Sequence, residues 1–229
     1  MSLSEVRWLQ QTEVDVPSDD TWLSAAEVGQ AERFRFPKRR SDWRLGRWTV
    51  KRAVAICLGL PQDFGSLALT EIRPAASGAP EVFVLNRPAE VAISLSHRDK
   101  VAMCVVAGAG VQLGCDLEVV ESHGEAFVRD YFTPEEQALV ASSSDRDLLV
   151  ALVWSAKESA LKTLQTGLRE DTRSVSVCAV DPLFANGSWA ELSVRIHQSQ
   201  LLSGWWQRCG RLVRTLTVAP AVGLPIELR

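Results

Sequence analysis

Two carboxylates, Asp116 and Glu118, stand two residues apart in the stretch Gly114-Cys115-Asp116-Leu117-Glu118. Further along, Trp154-Ser155-Ala156-Lys157-Glu158-Ser159-Ala160-Leu161-Lys162 carries a third carboxylate and two ammonium groups. In a strand, residues i and i+2 point to one face, so Asp116 and Glu118 would present their acids together. Like charges held close repel unless a proton or a cation sits between them. A hard divalent ion with oxygen ligands, Mg²⁺ or Mn²⁺, suits such a pair. With Glu158 completing the acid set and Lys157 and Lys162 beside it, the ensemble would hold a metal against a phosphate. Each half alone is ordinary. Asp-x-Glu also describes the polar side of an edge strand, and Glu158 with Lys162 at i, i+4 also describes a surface pair worth about 0.3–0.5 kcal/mol.

The elements that must position these groups can be read from their boundaries. Ser24-Ala25-Ala26-Glu27 is a capping box that opens a helix. A longer helix is predicted from Ser41-Asp42 to Leu58, ended by Gly59 and Pro61, with Arg44, Arg47 and Lys51 on one face. Five short β-branched runs between Leu67 and Glu118 read as strands. Thr133-Pro134-Glu135-Glu136 opens another helix. A long one follows, from about Asp145 to Leu164, with Gly167 as its stop. Ser174 to Val180, Trp189 to His197 and Leu212 to Ala219 read as strands. Runs of each type indicate α+β rather than alternating β/α. The order helices-then-strands occurs twice, which divides the chain into halves 1–107 and 108–229 with a cleft expected between them. Trp205-Trp206 would either pack the second half's core or form an exposed contact.

The 229 residues suffice for one or two cores, and 46% apolar with 23% charged residues is ordinary for a globular chain. A net charge of −3 gives no global attraction to nucleic acid or anionic membrane. The exception is the basic cluster Arg33, Arg35, Lys38, Arg39 and Arg40, which would meet a local anion or steer an acidic partner. No apolar run approaches the roughly 20 residues that span a bilayer, and the first residues lack a secretory pattern, so a cytoplasmic location is expected. The five cysteines form no C-x-x-C pair, which argues against zinc or a disulfide framework.

Taken together, the motifs resemble those of 4′-phosphopantetheinyl transferases of the surfactin-synthetase-activating type. Gly114 to Glu118 is similar to their G-(V/I)-D-(I/L)-E signature, and Trp154 to Lys162 to their W-x-x-K-E-x-x-x-K signature. Ile93-Ser94-Leu95-Ser96-His97, Gly78-Ala79-Pro80, Gly46-Arg47 with Lys51, and Phe132-Thr133-Pro134-Glu135-Glu136 correspond to further family segments in the same order. The resemblance implies two α+β halves about a pseudo-twofold axis, with coenzyme A between them. It also implies transfer of 4′-phosphopantetheine from coenzyme A to a serine of an acyl or peptidyl carrier protein, releasing 3′,5′-ADP. By the same resemblance Asp116, Glu118 and Glu158 hold Mg²⁺ or Mn²⁺, and Glu158 is the first choice of base. Lys162 stabilises the departing 3′,5′-ADP or donates a proton to it. Arg47, Lys51, Gly78, Ser96, His97, Asp116, Lys157 and Lys162 contact coenzyme A. A monomer is implied. Ala79 stands where the family has a base, Ile93-Ser94-Leu95 lacks the family's Asn, and Glu27 and Gln30 occupy positions that are basic in some members. Two rivals remain: a non-catalytic carrier-binding module of the same fold, and a magnesium-dependent coenzyme A phosphohydrolase.

Overall fold

Helix boundaries in this chain follow its capping residues. The computed structural model describes residues 5–165, 170–180, 187–197 and 200–229. Its elements are β1 (Arg7–Thr12), α1 (Ala25–Ala31), α2 (Pro37–Leu58), α3 (Phe64–Ala68), β2 (Thr70–Pro74), β3 (Pro80–Val84), β4 (Arg87–Pro88), β5 (Val91–Arg98) and β6 (Val101–Gly108). These are followed by β7 (Gln112–Val119), α4 (Glu125–Tyr131), α5 (Pro134–Ala141), α6 (Arg146–Thr163), β8 (Val175–Val180), β9 (Ala190–Ile196), β10 (Gln200–Cys209), β11 (Leu212–Ala219) and β12 (Ile226–Glu227). The fold is α+β. Contacts divide it into two units, Met1–Gly110 with Ile226–Arg229, and Val111–Pro225.

In the first unit the strands run β12-β1-β6-β5, with β2-β3-β4 as a smaller sheet whose β3 lies against β5. Helix α2 packs on β6, β1 and β5 over a core that includes Val50, Val54, Ile72, Cys104 and Leu228. In the second unit one five-stranded sheet runs β7-β11-β10-β9-β8. Helix α6 lies across β7 and β11, and its apolar positions Val150, Val153 and Leu161 share a core with Leu192, Val194 and Trp206. The order β1-β6-β5 thus recurs as β7-β11-β10, while β3 and β2 belong to a separate sheet beside β5 and β9 and β8 continue the second unit's sheet.

A second recurrence lies in the side chains. Ser24 caps α1, and Glu27, three residues on, is 2% exposed and ion-pairs with Lys51 of α2 at 2.6 Å. Glu27 also accepts from the Ile72 N–H of β2, while Lys51 donates to the carbonyls of Trp22 and Leu67. In the second unit Thr133 caps α5, and Glu136 ion-pairs with Lys157 of α6 at 2.8 Å. Glu136 accepts from Val177 N–H of β8, and Lys157 donates to the carbonyls of Thr172 and Val175. Each buried ammonium thereby meets three acceptors, which is what makes its burial tolerable. The same lock ties short helix, long helix and strand together in both units.

Several elements differ from the sequence reading. Helix α2 begins at Pro37, ahead of Ser41, because Pro suits the first helical turn and the basic side chains of that turn, Lys38, Arg39 and Arg40, are exposed. Strand β1 escaped notice because Gln10, Gln11 and Thr12 break the apolar alternation, although it sits between β12 and β6. Strand β10 was hidden by Gly204, whose added Cβ would lie 2.4 Å from the Leu216 carbonyl oxygen. Trp205 and Trp206 on that strand are buried, 5% and 1% exposed, so the core alternative holds. Helix α6 starts after Asp145, whose side chain accepts from Leu148 N–H, and Leu164 caps its end. The proposed stop at Gly167 lies outside the described residues.

Candidate active site

Gly114, Asp116 and Glu118 alternate on β7, which pairs with β11 in the register Gly114↔Thr217, Asp116↔Thr215 and Glu118↔Val213. This face is turned toward α6. A Cβ on Gly114 would stand 2.0 Å from the Ser159 carbonyl oxygen and 2.6 Å from the Thr163 nitrogen. Glycine is therefore required by the closeness of helix to strand. Small residues on α6 allow the same approach: Ser155 and Ser159 meet the Thr215 hydroxyl at 2.8 and 2.6 Å, and Thr163 meets that of Thr217 at 2.7 Å. This buried hydroxyl row satisfies its own polar atoms while holding α6 low on the sheet.

One turn of α6 then reaches β7. Lys162 Nζ lies 2.7 Å from Asp116 Oδ1 and donates to the Cys115 carbonyl oxygen at 2.9 Å. The bland surface-pair reading of Glu158 and Lys162 fails here, since the lysine's ion pair is with Asp116, which is 5% exposed. Burial opposes the Lys162 ammonium, but Asp116, Cys115 and Glu158 outweigh it and hold the pKa above that of an ordinary lysine. Glu158 behaves oppositely. Burial and the charge of Asp116, with a smaller push from Glu118, raise its pKa above the usual glutamate value, and Lys162 only partly counters them. Asp116, Glu118, Glu158 and Lys162 therefore share one electrostatic environment on facing elements.

The donor set fits a hard dication, being carboxylate oxygens whose mutual repulsion a cation would relieve. No three His, Cys, Asp or Glu side chains among the described residues close into a finished cage. Such an ion would thus draw much of its shell from water and substrate.

Two expected phosphate contacts are corrected. Lys157, adjacent to Glu158, points away into the lock with Glu136, is 0% exposed and has all three donors engaged. Lys51 is likewise enclosed by Glu27, Trp22 and Leu67. For both, burial lowers the pKa and the partner glutamate offsets part of the effect. The acidic Glu27, a departure from some family members, is explained by this partnership. Arg47 differs: it lies over the Trp43 ring at 5.0 Å, 3.6 Å from Glu27, and its Nε is buried without a hydrogen-bond partner. Its guanidinium retains donor capacity.

Gly78, Ser96 and His97 all belong to the first unit. Gly78 occupies the β2–β3 turn at φ 90°, an exposed position that its neighbour Ala79 shares in part. Ser96 is buried near the end of β5, and His97 is exposed next to it, just before the tight turn Asp99-Lys100. The sequence reading missed an aromatic cluster on the second unit. Trp154 of α6 packs on Phe127 and Tyr131 of α4 at 5.1 and 5.2 Å, and Tyr131 is 41% exposed. The W of the second motif was its only visible signal.

Comparison with known proteins bears on this geometry. The model of the 4′-phosphopantetheinyl transferase superfamily matches residues 112–217, from β7 into β11. The 4′-phosphopantetheinyl transferase HetI of Nostoc sp. strain PCC 7120 is 26% identical over 164 residues, covering 70% of this chain and 67% of HetI.

Proposed function

We propose that the chain is a 4′-phosphopantetheinyl transferase that modifies an apo carrier protein with the phosphopantetheine arm of coenzyme A; the match of residues 112–217, the segment that holds the carboxylates and Lys162, to that superfamily's model supports the reading. The observation that carries this reading is the convergence of Asp116, Glu118, Glu158 and Lys162 on β7 and α6.

In the proposed reaction a carrier serine oxygen forms a bond to the phosphorus bearing pantetheine, and the pyrophosphate bond to 3′,5′-ADP breaks. Glu158 takes the serine proton on its carboxylate. Lys162, held charged by Asp116, faces the negative charge that builds on the leaving phosphate. Its raised pKa suits it to electrostatic stabilisation rather than to proton donation. Mg²⁺ or Mn²⁺ on Asp116, Glu118 and Glu158 would supply charge neutralisation of the pyrophosphate. Arg47, Gly78, Ser96 and His97 are the proposed coenzyme A contacts of the first unit. Phe127, Tyr131 and Trp154 offer the carrier or the pantetheine arm an aromatic surface. A cytoplasmic monomer of two like halves completes the reading.

The test is chromatographic: 3′,5′-ADP release from coenzyme A, measured with and without apo carrier. Release that requires the carrier supports the transferase. Release without carrier would instead show a phosphohydrolase, and binding of carrier with no release a non-catalytic module.

A further inference from the structure

At the far edge of the second unit's sheet from β7, a groove of about 680 Å³ is lined by Thr133, Glu135, Arg173, Ser174, Ser176, Arg195 and His197. Four strand spacings separate β8 from β7, about 19 Å, so this groove is not the site of Asp116. Register explains its chemistry. Ser176 pairs with Arg195 across β8 and β9, and the His197 N–H donates to the Ser174 carbonyl oxygen. The alternate residues Val175, Val177, Val194 and Ile196 enter the core, so both serines, Arg195 and His197 are turned to the opposite side.

Three features distinguish the groove from a merely solvated hairpin face. The Ser174 hydroxyl is shielded from solvent and has no hydrogen-bond partner among the described residues. A shielded hydroxyl without a partner is costly, and a ligand acceptor would satisfy it. Arg195 has no acid partner among the described residues, whereas Arg173 is tied to Asp171 and His197 to Glu170 at 2.8 Å. Arg173 and Arg195 line the groove with one carboxylate, Glu135, while Asp171 and Glu170 are held by Arg173 and His197. We propose that this groove binds a phosphomonoester, its phosphate taking hydrogen bonds from Arg195, Arg173 and the Ser174 hydroxyl. Planar forked donors suit phosphate oxygens, and the volume falls within the range of small-molecule sites rather than of a bare ion. The proposal does not depend on the transferase reading.

Inorganic phosphate titrated into ¹⁵N-labelled protein at constant ionic strength is the probe. Amide shifts confined to residues 173–177 and 195–197, saturating at millimolar phosphate, are expected. Arg195→Ala, an exposed position that need not disturb folding, should weaken binding at least tenfold, Ser174→Ala about threefold, and Asp116→Asn not at all. Glycerol 3-phosphate should bind more tightly than inorganic phosphate. Absence of shifts at these residues would overturn the proposal. So would binding unaffected by Arg195→Ala, or a response to an acidic peptide without one to phosphate.

Discussion

At the residue scale, the proposed chemistry rests on two groups, Glu158 and Lys162, whose proton affinities are moved by their neighbours. Glu158 has its pKa raised, so the folded chain binds that proton more tightly than the unfolded chain. Its contribution to stability is therefore full below the ordinary glutamate pKa of about 4.3 and is lost as pH rises through the folded value. Glu158→Gln is expected to raise Tm at pH 7 in EDTA, not at pH 4, while reducing turnover at least about 100-fold; an unchanged turnover would remove Glu158 as base. Asp116→Asn should lower the Glu158 pKa, visible by carboxyl NMR titration, because the repelling charge is gone. Lys162→Ala should lower kcat by about 10²–10³ with little change in the KM for coenzyme A, the signature of a group that acts as charge develops.

At the element scale, the close seating of α6 on β7 decides where those groups meet. Gly114→Ala places a methyl group against the α6 backbone. It should cost about 3 kcal/mol, a loss of several degrees in Tm. The paired locks give a second test. Removing one partner of a buried ion pair costs about 3–5 kcal/mol. Double-mutant cycles on Glu136 with Lys157, and on Glu27 with Lys51, should return similar coupling energies of about 1–3 kcal/mol. A coupling near zero in one unit would show that the recurrence is geometric only. Much of this was readable beforehand: Ser24 with Glu27 and Thr133 with Glu136 announce capping boxes, and Gly114, Asp116 and Glu118 announce a shared face. What could not be read was the direction of Lys157 and Lys51. A basic residue beside Glu158 suggests a phosphate, and only the three-dimensional partners Glu136 and Glu27 reveal a structural ammonium. Strands β1 and β10 were unreadable for a related reason, since polar residues and Gly204 hide burial that tertiary pairing supplies.

At the scale of the whole molecule, the two units share an order of three strands and a buried Glu–Lys lock. The acidic site occurs in only one of them. Arg52 follows Lys51 where Glu158 follows Lys157, so the first unit lacks the corresponding carboxylate. The chain's end also contributes to the first unit: β12 pairs in parallel with β1, and Leu228, 7% exposed, enters its core. Deleting residues 226–229 should speed amide exchange in β1 and leave β9 to β11 protected.

The most direct measurement is the intact mass of an apo carrier protein incubated with this chain, coenzyme A and Mg²⁺. The expected result is a gain of one phosphopantetheine group per carrier, abolished by EDTA and by Asp116→Ala. An unmodified carrier, with wild-type protein that is folded and binds coenzyme A, would contradict the assignment.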